Sequence, residues 1–383
     1  MNRLWLYPLW LIVVPFLMLE GVFRLLPVTD PPYSPPVTSA DPVARLQPGL
    51  DYRYSSGWDF SIIAHKRTNN FGYNFIRDYD PAETTPLLMV IGDSFVQANA
   101  VDAGKTAAEL LDAGLDGKGR VYSVGLAGAP LSQYLVFAQF AKRTFRPDAM
   151  AFFIISNDFD ESLRQYASDP RLHYFEESGG QALLTRRGDY EMSPLKTVLR
   201  RSAFVRYAML NVQVVERLED VLGALRGRKR AAPYLGSRDA DTPAALEQRI
   251  ADAKRAVDHF LDRLPAMSGL ASDSIVFVLD AMRPAIYSAQ ALRLSENSYH
   301  AQMRRYFHAS AAARGYQVLD MQPVFMARHR LDGARFEFPT DSHWNALANR
   351  VVAEELQASA LFNRVFGEPG LVPVDARTRP GGR

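Results

Sequence analysis

Gly92-Asp93-Ser94-Phe95 follows directly on the apolar run Leu87-Leu88-Met89-Val90-Ile91, so a serine stands at the end of what reads as a buried strand. A short apolar run closed by Gly, Asp and Ser predicts a core strand whose turn opens at the carboxyl edge of a sheet, where open α/β sheets bind ligands. A serine there is a candidate nucleophile for ester chemistry. Its hydroxyl is weak until an imidazole takes its proton and a carboxylate orients that imidazole. Asp341 and His343, in Thr340-Asp341-Ser342-His343-Trp344-Asn345, supply both groups. A plainer reading makes Ser94 and Asp341 caps of the helices that follow them. His65, His173, His259, His300, His308 and His329 have no comparable acid-and-turn setting and read as surface or interface residues.

Two segments between the serine and the histidine offer hydrogen-bond donors for a developing oxyanion. Val121 to Pro130 reads as a strand ending in a glycine-bearing loop, where Gly128 can present its backbone N–H at close approach. Ala151 to Asp158 is a strong apolar strand that ends in the side-chain amide of Asn157. Each alone is an ordinary strand-loop junction, and Gly128 alone a turn glycine. Their order is what carries the argument.

With these four blocks in this order, the chain resembles the SGNH/GDSL hydrolase superfamily over roughly residues 86–160 and 273–360. The resemblance implies Ser94 as nucleophile, His343 as base and Asp341 as the acid that orients it. It further implies an oxyanion hole made by the Ser94 N–H, Gly128 and Asn157. The usual Asp-x-x-His spacing is here Asp341-x-His343-Trp344, which looks like the signature of the alginate and cell-wall O-acetyltransferase branch, whose members act on polysaccharides. The block around Asn157 reads Ile155-Ser156-Asn157-Asp158 and lacks the family's glycine, and the Gly128 block lacks the asparagine that often precedes it.

The elements that must position these groups alternate strand and helix. Further buried strands are expected at Asp273 to Asp280 and Gln317 to Asp320, and helices at Thr106 to Leu111, Gln133 to Lys142 and after His343. The expected fold is α/β, a three-layer α/β/α sandwich of the SGNH type, with a parallel sheet of about five strands. It carries a helical insertion at about 159–270 and an N-terminal transmembrane helix. Within the insertion, Thr242-Pro243 marks a helix start. Leu246, Ile250, Ala253, Val257, Phe260 and Leu264 form its core-facing stripe, with a partner-docking face as the rival reading. Arg226 to Arg230 reads as a solvated basic loop, and Tyr166, Tyr174 and Phe175 as a sugar platform or an acyl groove. Arg283 is placed near the catalytic face with a structural salt bridge as its expected role. Trp58 to Asn74 is expected at the pocket edge.

Leu4 to Leu19 contains no charge, and Leu4 to Leu26 is interrupted only by Glu20 and Arg24. That length can span a bilayer, and Pro8 and Pro15 are tolerated in such a helix. Residues 1–26 therefore read as an uncleaved anchor. The alternative is a signal peptide, but no small-residue cleavage site follows at the right distance. Arg3 and the amino terminus on the inner side would leave the remainder outside the cytoplasm, periplasmic in a Gram-negative bacterium. Residues 27–50, with Pro27, Pro31, Pro32, Pro35, Pro36, Pro42 and Pro48, predict an extended spacer that holds the domain off the membrane. The domain itself spans 51–365, and 366–383 reads as a disordered tail. The absence of cysteine leaves no disulfide framework, and a net charge of +2 gives no nucleic-acid signature. No metal-ligand spacing appears and Gly92 to Ser94 lacks the P-loop lysine, so neither metal nor cofactor is expected. The expected function is a membrane-anchored serine esterase or O-acyltransferase acting on carbohydrate esters, with a membrane protein as candidate acyl donor. The alternatives are a non-catalytic SGNH-fold component of a glycan export or assembly complex, and a lipid esterase or thioesterase.

Overall fold

The computed structural model describes residues 6–30, 32–167, 169–178, 181–214, 217–218, 222 and 242–367. Along the chain, α1 (Leu6–Leu25) precedes an antiparallel hairpin, β1 (Asp51–Ser56) and β2 (Ile62–Arg67). Then come β3 (Leu87–Gly92), α2 (Ser94–Gln97), α3 (Ala107–Gly114), β4 (Arg120–Gly125), α4 (Leu131–Thr144) and β5 (Ala149–Ile154). After a second hairpin, β6 (Tyr174–Ser178) and β7 (Gln181–Thr185), lie α5 (Pro194–Leu199), α6 (Ala203–Arg206) and a π-helical turn Tyr207–Asn211. The long helix α7 (Pro243–Ser268) leads to β8 (Ile275–Leu279) and β9 (Gln317–Asp320).

β3, β4, β5, β8 and β9 form one sheet in the order β4-β3-β5-β8-β9, and each neighbouring pair is parallel. Every residue of the first four of these strands is buried. This accounts for the continuous apolar sequences of β3, β5 and β8, because a parallel strand is covered on both faces. The period of two assigns the layers. Phe152 meets Tyr134 of α4 and Phe260 of α7 on one face, whereas Phe153 meets Trp344 on the other. The α/β fold with a five-stranded parallel sheet is as expected. β3 and β5 are neighbours although β4 lies between them in sequence and on the far side of β3, so the sheet order reverses there. A crevice outside the carboxyl ends of such strands is where this class of sheet holds its ligands.

Helix starts follow their local chemistry. Thr106 and Glu109 close a capping box on α3. Thr242 accepts the Ala245 N–H ahead of Pro243 at the first turn of α7, and the stripe from Ile250 to Leu264 is buried as read. α7 packs on α4 and the helix Tyr299–Ala313. It is thus a layer of the sandwich, and the insertion proper is shorter than 159–270.

Several expectations require correction. The proline-bearing segment is extended but not a free spacer. Val28, Val37, Ala44 and Leu46 are buried, Val37 pairs with Tyr190, and the Leu46 N–H donates to the Gly72 carbonyl. Apolar residues between the prolines drive this docking, and composition conceals them. The insertion contains the β6–β7 hairpin as well as helices. Tyr174 and Phe175 are each 1% exposed and belong to the core, so they form neither a sugar platform nor an acyl groove. His300 is fully buried, where loss of water holds its imidazole well below the ordinary value. Among the described residues no helix is long and apolar enough to cross a membrane. The described side chains of α1 start at Trp10, with Trp10, Leu11, Ile12, Leu17 and Met18 exposed. The basic loop Arg226 to Arg230 and the tail from Glu368 lie outside the described residues.

Candidate active site

Ser94 is the first residue of α2, immediately beyond β3. Asp93 caps this short helix by accepting the Phe95 N–H at 2.9 Å, and Ala98 ends it in the left-handed conformation. The cap turns the Ser94 hydroxyl out over the sheet edge, where it has two acceptors, His343 Nε2 at 2.8 Å and Asp93 Oδ2 at 3.2 Å. Asp93 is almost completely buried. Burial pushes its carboxyl up to about 6 against the Phe95 hydrogen bond and the nearby imidazole, which pull it down.

His343 comes from the opposite end of the chain, on a short bulged hairpin of β10 (Glu337–Phe338) and β11 (Asp341–Trp344). A single oxygen, Oδ1 of Asp341, accepts both the His343 backbone N–H at 2.9 Å and the imidazole Nδ1 at 2.5 Å. The spacing of two, in place of three, lets the carboxylate grip its own turn and the ring together. Trp344 explains the residue after the histidine. It is buried, donates its indole N–H to Asp280 at 2.8 Å and meets Phe95 edge-on at 5.2 Å. Asp280 in turn pairs with buried Arg283 at 2.6 Å, the structural salt bridge expected of that arginine. The imidazole packs on Phe95 with ring centres 4.9 Å apart. Burial opposes its charged form, but the Asp341 hydrogen bond and charge, with that of Asp93, win and raise its pKa. Burial works the other way on Asp341, yet its bonds to His343 leave its pKa lowered. The arrangement can move the serine proton to Nε2 and stabilise the resulting imidazolium.

The Gly128 and Asn157 loops leave the same sheet edge, because Gly92 is paired with Gly125 and Ile91 with Phe152. Gly128 has φ +77°, a region that favours glycine. Its N–H makes none of the turn's hydrogen bonds, which run from Ala129 to the Leu126 carbonyl and from Ala127 to Gln97 Oε1. Gln97 is buried on α2, so the helix that carries Ser94 also holds the Gly128 loop. Asn157 lies in a tight turn, Ser156–Asp158, closed by Asp158, whose Oδ2 accepts the Ile155 N–H and the Tyr134 hydroxyl. Ser156 has no positive φ, so nothing in this turn demands the family's glycine. The Asn157 amide donates to Glu161 Oε2 at 3.2 Å. Burial pushes the Glu161 carboxyl up to about 7, opposed by the Asn157 bond and reinforced by the charges of Asp160 and Asp93.

The β1–β2 hairpin closes one side of the mouth, as expected for Trp58 to Asn74. Ser61 and Thr340 hydroxyls are 3.4 Å apart, next to Asp341. Burial and then the charge of Asp341 push the Tyr54 phenol up to about 12. Gln97, Glu161 and the pairing of Trp344, already part of the Asp341-x-His343-Trp344 spacing, with Asp280 are not singled out by the sequence reading. The last two leave a trace there: Glu161 is four residues from Asn157, and Trp344 follows the histidine directly. Among the described residues, no group of His, Asp and Glu is arranged to hold a metal ion.

A parallel α/β/α sheet with a serine, an imidazole and a carboxylate in hydrogen-bonded sequence at its switch point defines the class. The chain is similar to the SGNH hydrolases, and the constellation is one that an ester hydrolase or acyltransferase requires. The family model described as the SGNH hydrolase-like domain of acetyltransferase AlgX matches residues 235–369. That stretch includes Asp341, His343 and Trp344 and begins after Ser94, Gly128 and Asn157. No curated protein matches the chain. Similar solved structures include LAE5, an α/β hydrolase enzyme from the metagenome of Lake Arreo, Spain, at 14% identity over 76% of this chain and 99% of that one, TM-score 0.39. Others are the acetyl xylan esterase AlAXEase, at 11% identity over 70% and 97%, TM-score 0.35, and a lipase/acylhydrolase from Enterococcus faecalis, at 8% over 75% and 100%, TM-score 0.38.

Proposed function

We propose that the protein is a membrane-anchored, extracytoplasmic serine esterase or O-acyltransferase that acts on carbohydrate acyl esters. The observation that carries this reading is the 2.8 Å approach of His343 Nε2 to Ser94 Oγ. Ser94 Oγ attacks the acyl carbonyl while its proton passes to His343. The oxyanion is held by the N–H groups of Ser94 and Gly128 and the amide of Asn157. Collapse expels the alcohol, which takes the proton back from His343, and leaves acyl-Ser94. A water or a sugar hydroxyl, deprotonated by His343, then attacks the acyl group and regenerates the serine. Water gives hydrolysis and the sugar gives transfer. The carbohydrate substrate is supported by the AlgX-like match and by the Asp341-x-His343-Trp344 spacing. Anchoring is supported by the charge-free run Leu4 to Leu19 and by the exposed apolar side chains of α1. A membrane protein is the proposed acyl donor.

The test is turnover of a simple acetyl ester by the full chain, with and without an oligosaccharide acceptor, beside a folded Ser94→Ala variant. Ester cleavage lost in the variant supports the reading, and acetylated acceptor makes the enzyme a transferase. No turnover by folded wild-type protein with either would place it among non-catalytic components of a glycan assembly complex.

A further inference from the structure

The insertion between β7 and α7 carries apolar side chains that nothing in the described chain covers. α5 has no buried residue, yet Leu195, Val198 and Leu199 on it are 69%, 59% and 46% exposed. Met209 and Leu210 on the π-helical turn are exposed as well, as are Val214, Leu218 and Leu222, which recur four residues apart. Apolar residues exposed singly are ordinary, whereas a concentration like this marks a contact surface.

Two observations identify what covers it. The first is continuity with α1. Glu20 accepts from the Ser202 hydroxyl at 2.6 Å and from the N–H groups of Ala203 and Phe204 at 3.1 Å, so the start of α6 is tied to α1. Phe23 stacks on Tyr207 at 4.2 Å. The second is charge. From Ser193 to Val214 the chain holds Lys196, Arg200, Arg201 and Arg206 and no acidic residue. Lys196 and Arg201 are exposed. An apolar surface flanked by cations is the composition of a segment that lies in a bilayer interface rich in acidic headgroups.

We infer that Pro194–Asn211 rests on the surface of an anionic lipid bilayer beside α1, which sets the mouth of the Ser94 site at headgroup height. This rests on the reading of α1 as an anchor. The connection to the mouth is direct. The Tyr207 hydroxyl donates to the Trp58 carbonyl at 2.7 Å, and Ser61, three residues on, meets Thr340. Trp58 is 65% exposed, a residue type that concentrates at membrane interfaces. An enzyme held in this way takes esters presented at the membrane surface.

The chain has no cysteine, so single labels can be introduced without background. Leu195→Cys, Leu199→Cys and Met209→Cys, each carrying a nitroxide, are reconstituted as full-length protein in vesicles of phosphatidylglycerol and phosphatidylcholine. Collisions with oxygen report lipid, and collisions with a water-soluble nickel chelate report solvent. The expected result is a preference for oxygen at all three positions that falls in vesicles of phosphatidylcholine alone, with a label at exposed Leu331 preferring nickel. Nickel preference at the three positions while a Leu17 label prefers oxygen overturns the platform and leaves the anchor standing. Nickel preference at Leu17 as well overturns both. Protection from both quenchers also overturns the platform, because it identifies a protein partner or a second copy.

Discussion

Replacing Asp341 by Asn removes a charge while retaining shape, and the geometry predicts how it does so. The oxygen that accepts from His343 Nδ1 also accepts the His343 backbone N–H. In Asp341→Asn the amide must keep its carbonyl on that side, because an amide nitrogen would face the backbone donor. The imidazole therefore keeps its tautomer and loses only the charge on its partner. Hydrogen bonds to a charged group contribute about 1.5–3 kcal/mol against about 1 for a neutral pair. The difference of roughly 0.5–2 kcal/mol corresponds to a loss of about 2- to 30-fold in kcat/KM. Asp341→Leu removes the acceptor altogether, leaves the tautomer unfixed, and should lose on the order of 10³–10⁴-fold. The pH profile gives an independent reading. Asp341 raises the His343 pKa by stabilising its protonated form, so wild-type activity rises with pH through a value above the ordinary 6.5. Without the charge, burial dominates and the acid limb of Asp341→Asn moves to lower pH. Steady-state kinetics with an acetyl ester from acid to alkaline pH would measure both. Equal losses in the Asn and Leu variants, or an acid limb that stays in place, would refute this account of the turn.

The remaining predictions concern the neighbours of the serine and the oxyanion. Asp93 carries a folded pKa raised from 3.8 to about 6, so the stability it contributes is fully present below 3.8 and lost as pH rises through 6. Asp93→Asn keeps the cap on Phe95 and should gain up to about 3 kcal/mol at neutral pH with no gain at low pH, read from denaturant midpoints at the two ends. Asn157→Ala should lower kcat on the order of 10²–10³-fold with KM little changed, measured on the same ester. Glu161, raised to about 7, places a negative charge beside the Asn157 donor once it ionises, which opposes the oxyanion. Wild-type kcat should therefore decline above neutrality, and Glu161→Gln should abolish that decline while leaving the acid limb of His343 unchanged.

What the sequence discloses divides along physical lines. β3, β5 and β8 are legible because parallel strands buried on both faces leave unbroken apolar runs, and β4, interrupted by Ser123, because a glycine-bearing loop closes it. α7 is legible because Thr242-Pro243 caps it and its stripe keeps helical spacing. Ser94 is legible because it follows such a strand in a capping turn, and Asp341 and His343 because an acid stands two residues before a histidine just ahead of a helical pattern. β1, with the sequence DYRYSS, is not: one face carries Asp51, Arg53 and Ser55, the other has only the two tyrosines beside Ser56, and its strand state comes from pairing with β2. The docking of Val37 and Leu46 is hidden by the prolines around them. Gln97 and Glu161 are hidden for a different reason, since a polar residue gains its role from the backbone or amide brought against it in three dimensions.

The most direct test of the central claim is the mass of the full-length protein after brief exposure to an activated acetyl ester, with the adduct located by peptide fragmentation. The account predicts a single acetyl group on Ser94, accumulating in Asp341→Leu if deacylation slows more than acylation, and absent from Ser94→Ala. An adduct on any other residue, or none in folded protein that still cleaves the ester, would contradict it.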